Sequence, residues 1–150
     1  MMDVIDTVLP ASDAESAHPD FRRDSITLTW EERRRGHGRR RSDGGLEFGL
    51  SLATGTVLGQ GDGLVSHQAR VLIRVIEAAE PVYVIHPGSP QQWAFYAFHI
   101  GNRHQPVMIG ERELICLQDP AVKSLFEHLH VPYTAEFRPF CPAVETSHEH

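Results

Sequence analysis

Histidine is the residue type in this chain with the most chemistry available to it. There are ten imidazoles in 150 residues, and imidazole is the commonest protein ligand for borderline metals such as nickel, copper and zinc near neutral pH. His104 is the most informative, in the run Ala97-Phe98-His99-Ile100-Gly101-Asn102-Arg103-His104-Gln105-Pro106. The run predicts a helix ended by a left-handed Gly101, with His104 lifted into the short connection before Pro106, where sites are usually built. His99 and His104 are five positions apart, about 140° on a continuous helix. They can share an ion only if the helix breaks at Gly101-Asn102. Otherwise a second chain supplies the partner, because a twofold axis sets identical residues opposite one another and turns one histidine into a two-imidazole site.

The ending Ser147-His148-Glu149-His150 is the second candidate, a chelating arm of two histidines around a carboxylate. His128 and His130 fall at a helix end, where an imidazolium favours the negative pole, and a structural role is the better reading. His18, His37, His67 and His86 carry no spacing signal. Cys116 and Cys141 form no C-x-x-C pair and read as reduced structural thiols. No G-x-S-x-G, H-E-x-x-H, phosphate-binding or dinucleotide-binding motif occurs, so no residue is nominated as catalytic or cofactor-binding. The metal candidates are therefore His104, His148, His150 and, more weakly, His99.

The elements that must position these residues fall into two halves. Residues 1–24 are polar and read as a loose N-terminal extension. Residues 25–80 alternate polar and apolar side chains over Ser25–Trp30, Leu46–Leu52 and Ala69–Ala78, the period of half-buried strands. No helical period of useful length appears before residue 80. From Pro81 the pattern changes. Val82–Ile85 reads as a strand, Ser89-Pro90 as a cap and first turn, and Gln91–Ile100 as a helix. Pro106–Ile109 and Glu113–Leu117 read as a hairpin, Asp119-Pro120 as the start of a second helix, and Thr134–Phe140 as a last strand. The order over residues 81–142 is the βαββαβ of a ferredoxin-like domain, and residues 143–150 form a flexible tail. The fold class is thus α+β, an N-terminal all-β domain followed by a ferredoxin-like one.

Charge and hydrophobicity narrow the function. Hydrophobic residues make up 41% of the chain, enough for a core, and no apolar stretch is long enough to span a bilayer. The acidic N-terminus is unlike a secretory signal, so a cytoplasmic protein is expected. The net charge is −6, yet Arg33 to Arg41 hold six arginines and no acid. That block suits a hairpin tip turning at Gly36-His37-Gly38, or a patch that neutralises phosphates. The strand that would stack RNA bases in a ferredoxin-like domain, Leu114-Ile115-Cys116-Leu117, has no aromatic residue. A solvated loop or a docking surface for an acidic partner is favoured over nucleic acid.

Three stretches resemble a known family, the UreE-type urease accessory proteins, which are nickel metallochaperones. Leu28-Thr29-Trp30-Glu31-Glu32-Arg33-Arg34 resembles the family's early strand and basic loop. Gly49-Leu50 through Gly55-Thr56-Val57-Leu58, with Gly61-Asp62, is similar to its next β segment. Tyr96-Ala97-Phe98-His99-Ile100-Gly101-Asn102-Arg103-His104 is similar to its most characteristic signature. The resemblance implies a β domain that docks partners and a ferredoxin-like domain that dimerises. It also implies about one Ni2+ per dimer held by His104 of both protomers, with tail histidines assisting, and copper or zinc able to bind the same site. The cargo would pass to the urease apoprotein complex through the accessory GTPase. Some family members carry an auxiliary histidine pair where this chain has Gln118 and Pro120, so that site is absent, and two tail histidines suit delivery better than storage. The alternatives are an Arg-rich nucleic-acid-binding module and a small metal-sensing regulator.

Overall fold

The computed structural model of the chain describes residues 2–142. It divides into two compact units, one ending at Ala78 and the other beginning at Ala79. The first holds β1 (Val4–Ile5), α1 (Ala11–Ala14), β2 (Arg22–Leu28), α2 (Trp30–Arg33), β3 (His37–Arg41), β4 (Glu47–Ser51), β5 (Gly63–Ser66) and β6 (Val71–Glu77). These strands make two three-stranded sheets, ordered β1-β4-β3 and β2-β6-β5. The alternation in the sequence is what builds them. Phe48 and Leu50 of β4 and Ile26 and Leu28 of β2 point inward, while Glu47, Ser51 and Thr27 stay exposed. Together with Ile5, Leu52, Leu58, Leu64, Val71, Ile73 and Val75 they form one apolar cluster.

Four expectations for this unit are corrected. Residues 1–24 are not a loose extension: β1 pairs in parallel with β4 through Val4–Gly49 and Ile5–Leu50, and Ile5 and Ala14 are buried. Ala14 packs so closely on Gly63 that a Cβ there would stand 2.8 Å from its methyl. That approach requires glycine, since no side-chain carbon fits the space. A two-residue strand carries no period, which is why it escaped a reading by alternation. Trp30 does not end a strand but begins α2, the second correction. Thr29 accepts from the Glu32 N–H while the Glu32 carboxylate accepts from the Thr29 N–H, a reciprocal cap that satisfies two helix-end donors. The third is that α1 and α2, one turn each, are helices before residue 80.

The fourth concerns the arginine block, which is not a hairpin tip around Gly36-His37-Gly38. Residues 37–41 form β3, paired antiparallel with β4, and the turn lies beyond, at Asp43-Gly44-Gly45, where Gly45 has φ +100°. The six arginines are also dispersed in environment. Arg33 is buried in the core, Arg34 pairs with Glu31 and Arg41 with Glu47.

The second unit holds β7 (Ala79–Ile85), α3 (Pro90–Asn102), β8 (Met108–Ile109), β9 (Leu114–Leu117), α4 (Pro120–His128) and β10 (Thr134–Pro139). Its sheet runs β10-β7-β9-β8, and every neighbouring pair is antiparallel. With α3 and α4 as the crossovers, this is the split βαβ arrangement of the ferredoxin-like fold. Both helices start where the capping residues lie. Ser89 Oγ accepts from the Gln92 N–H at 3.2 Å, and Asp119 Oδ1 accepts from Ala121 and Val122. Pro90 and Pro120 each occupy the first helical turn, where a missing N–H is harmless. Ile100, Trp93, Tyr96 and Ala97 of α3 join Val122 and Phe126 of α4 over Tyr83, Ile85, Leu114 and Cys116 of the sheet.

Candidate metal site

The face of α3 opposite the core is apolar and open. Helical spacing puts positions 95, 98, 99 and 102 on one side, and Phe95 is 46% and Phe98 62% exposed. His99 sits among them half-buried, its ring centre 4.4 Å from that of Phe95 and 5.3 Å from that of Phe98. Its imidazole is packed edge-on against phenyl rings.

The end of α3 differs from the sequence expectation. Gly101 does not terminate the helix and is not its left-handed residue; the helix runs on through Asn102. Arg103 is the cap, and His104 itself takes the left-handed conformation, φ +58°. The His104 N–H donates to the Gly101 carbonyl at 2.9 Å, so the helix end is closed by a residue with a Cβ at a position that favours glycine. The reason is local: two residues further on, Pro106 bars the helix from continuing. The break that could have brought His99 to His104 therefore comes after both Gly101 and Asn102. His104 is exposed. Backbone geometry alone does not single it out, because His130 ends α4 in the same way at φ +55°. The exposed aromatic face on α3 is the feature that accompanies His104.

Among the described residues, no group of three or more His, Cys, Asp or Glu side chains is placed to hold a metal. His148 and His150 lie outside the described residues. Of the remaining histidines, His86 Nδ1 lies 3.3 Å from the Arg112 carbonyl, while His18 and His67, which carried no spacing signal, are brought into ring contact.

The two thiols part company. Cys141 is exposed and Cys116 buried. Burial pushes the Cys116 thiol up to about 12, with the Asp119 carboxylate adding to the shift. A thiolate is the form that binds metal and reacts with electrophiles, so Cys116 is disfavoured as a ligand. A thiol reagent at neutral pH is expected to modify one cysteine per native chain, Cys141, and two after denaturation. Rapid titration of both thiols in the native protein would contradict this placement.

A β unit of two small sheets, then a ferredoxin-like unit with an exposed histidine at a helix end, defines the class: a two-domain α+β protein with His104 open to solvent at the end of α3. Models of the UreE urease accessory protein match both halves, the N-terminal domain over residues 5–77 and the C-terminal domain over residues 80–150. The chain belongs to this family, which is one of accessory proteins rather than enzymes. It is 36% identical over 127 residues to a urease accessory protein UreE of Azorhizobium caulinodans, covering 85% of this chain and 61% of that one. The UreE of Chelativorans sp. is 35% identical over 119 residues, 79% of this chain and 75% of that one. That of Thermosynechococcus vestitus is 34% identical over 125 residues, covering 83% and 87%. The chain thus spans about three fifths of the Azorhizobium relative and most of the Thermosynechococcus one. No helix among the described residues is long and apolar enough to cross a membrane.

Proposed function

We propose that this protein is a homodimeric, cytoplasmic nickel carrier that delivers Ni2+ for assembly of the urease metallocentre. One ion per dimer is held between His104 of the two copies, with His148 and His150 assisting. Delivery runs through the urease accessory GTPase to the urease apoprotein complex. The observation that carries this reading is the pairing of an exposed His104 with the open aromatic face of Phe95 and Phe98 on the same helix. An exposed apolar patch beside a ligand marks an interaction surface, and a twofold contact there would supply the second imidazole. Copper and zinc bind the same nitrogen ligands, and the general affinity order favours copper. Membership of the UreE family supports the nickel and urease assignment.

The test is calorimetric titration with Ni2+ combined with mass measurement in solution. The expected result is one tightly held ion per two chains and a dimeric mass. One tight ion per chain with a monomeric mass overturns the shared-site reading.

The tail makes a separate prediction. Any ligand that His148 or His150 supplies must be fixed on the ion, and the conformational entropy lost in fixing it offsets part of what it contributes. A chain ending at Thr146 should bind Ni2+ measurably more weakly yet keep the site. Ligating imidazole must be unprotonated, so protons compete with the ion and affinity present at neutral pH is lost on acidification. Calorimetry at mildly acidic and neutral pH checks both statements. Unchanged affinity on truncation removes the tail from the ligand set, and a flat pH profile removes histidine.

A further inference from the structure

His18 and His67 lie about fifty residues apart in the chain, yet their rings meet edge to face with centres 5.2 Å apart. We propose that this pair is a second, weaker cation site, on the N-terminal unit, for a borderline divalent ion in tetrahedral coordination such as Zn2+. Two solvent-reachable imidazoles from distant segments, meeting at a spacing one ion can bridge, carry the argument. An ion about 2.0–2.1 Å from a ring nitrogen lies roughly 3.2 Å from the ring centre, so two imidazoles on one tetrahedral ion have centres roughly 5.2 Å apart. Ligands at right angles, as in octahedral coordination, bring the centres to roughly 4.5 Å by the same arithmetic. The observed separation is one that a single tetrahedral ion can bridge once a ring turns, and it also falls in the ordinary range of edge-to-face ring contacts. Imidazole χ2 torsions are broad, so the exposed His67 ring can turn a nitrogen toward the shared point while His18 stays stacked on Phe21, and water completes the sphere.

The surrounding residues hold the pair in place. His18 takes a left-handed backbone, φ +46°, which disfavours any residue with a Cβ. Arg23 secures that turn: Nη1 donates to the His18 carbonyl and Nη2 to the Ala17 carbonyl, both at 2.7 Å. Phe21 stacks on His18 at 4.5 Å and 16° and meets the edge of His67 at 5.9 Å. His67 projects from the exposed turn between β5 and β6. Besides Arg23, whose charge is met by the His18 and Ala17 carbonyls, the neighbouring cation Arg70 lies 4.8 Å over the Phe21 ring and is paired with Asp20, which offsets its repulsion of an ion. His18 is half-buried and His67 exposed, so an ion reaches both from solvent.

The experiment is titration of the full chain with Zn2+, read by calorimetry and by amide NMR. In a His104→Ala chain, amides of residues 17–21 and 66–70 should still shift with Zn2+. In His18→Ala and His67→Ala chains those shifts should vanish, and each chain should bind one Zn2+ fewer than wild type. His37→Ala, an exposed histidine on β3, should change neither. His67 lies in an exposed turn, so its variant retains the fold. Retention of the ion and the shifts in His67→Ala overturns the proposal, as does the absence of any shift at those amides in the wild-type chain. The site is independent of His104, so failure of either assignment leaves the other standing.

Discussion

Replacing His104 with alanine should remove the tight nickel site while leaving the protein folded. His104 is exposed at the end of α3, where its backbone N–H donates to the Gly101 carbonyl. In a site shared across a twofold axis, one substitution removes both imidazoles. The loss of affinity should exceed about 100-fold, the upper end of what losing an outer-shell partner of a ligand costs. The left-handed backbone adds a second arm. His104 at φ +58° holds a conformation that penalises an L residue by about 1 kcal/mol, so His104→Gly should raise the stability of the metal-free protein while abolishing the site equally. Calorimetry with Ni2+ and denaturant unfolding without metal measure the two effects. Tight binding retained in either variant overturns the ligand assignment. A glycine variant less stable than wild type overturns the account of the helix end.

Arg33→Ala should be the most destabilising single change in the N-terminal unit. The Arg33 side chain is 1% exposed, with Nη1 3.4 Å from Glu77 Oε2 and 3.4 Å from the Leu58 carbonyl. Its guanidinium lies 5.7 Å from the Trp30 ring centre. Truncation leaves the Glu77 carboxylate, 14% exposed, without this cation and opens a space beside Trp30. Removing one partner of a buried ion pair costs about 3–5 kcal/mol. For a unit of this size that corresponds to a fall in melting temperature of about 15 °C or more. Arg33→Met with Glu77→Gln should recover much of the loss, since apolar volume replaces the stem and no charge is stranded. A drop of only a few degrees for Arg33→Ala would show that the pair does not hold the unit together.

The same residue shows where reading along the chain stopped. Arg33 opens a run of six arginines that looks like one basic surface, but whether an arginine faces water depends on the carboxylate it meets. Glu77 is far away in sequence, and only pairing of β2 with β6 brings it close. The ferredoxin-like unit was legible because its signals are short-range: Ser89-Pro90 and Asp119-Pro120 start the helices, and the turn near Gly110 separates β8 from β9. The N-terminal strand β1 was not, because two residues have no period and its partner, β4, follows more than forty residues later.

The helix end at His104 lies between these cases. The sequence alone determined that α3 stops just before Pro106 and that a histidine follows it, since proline removes a donor and bars the next turn. It also determined the order of elements in the second unit and the strand alternation of the first. Which residue takes the left-handed step was decided by the folded chain, where Ile100 is buried against the sheet and the helix extends past Gly101 to Asn102. Tertiary structure likewise turned Arg33 inward and set His18 against His67. The physical division is one of range: caps, turns and alternation act within a few residues, whereas burial, ion pairing and ring contact depend on segments that meet only after distant strands have paired.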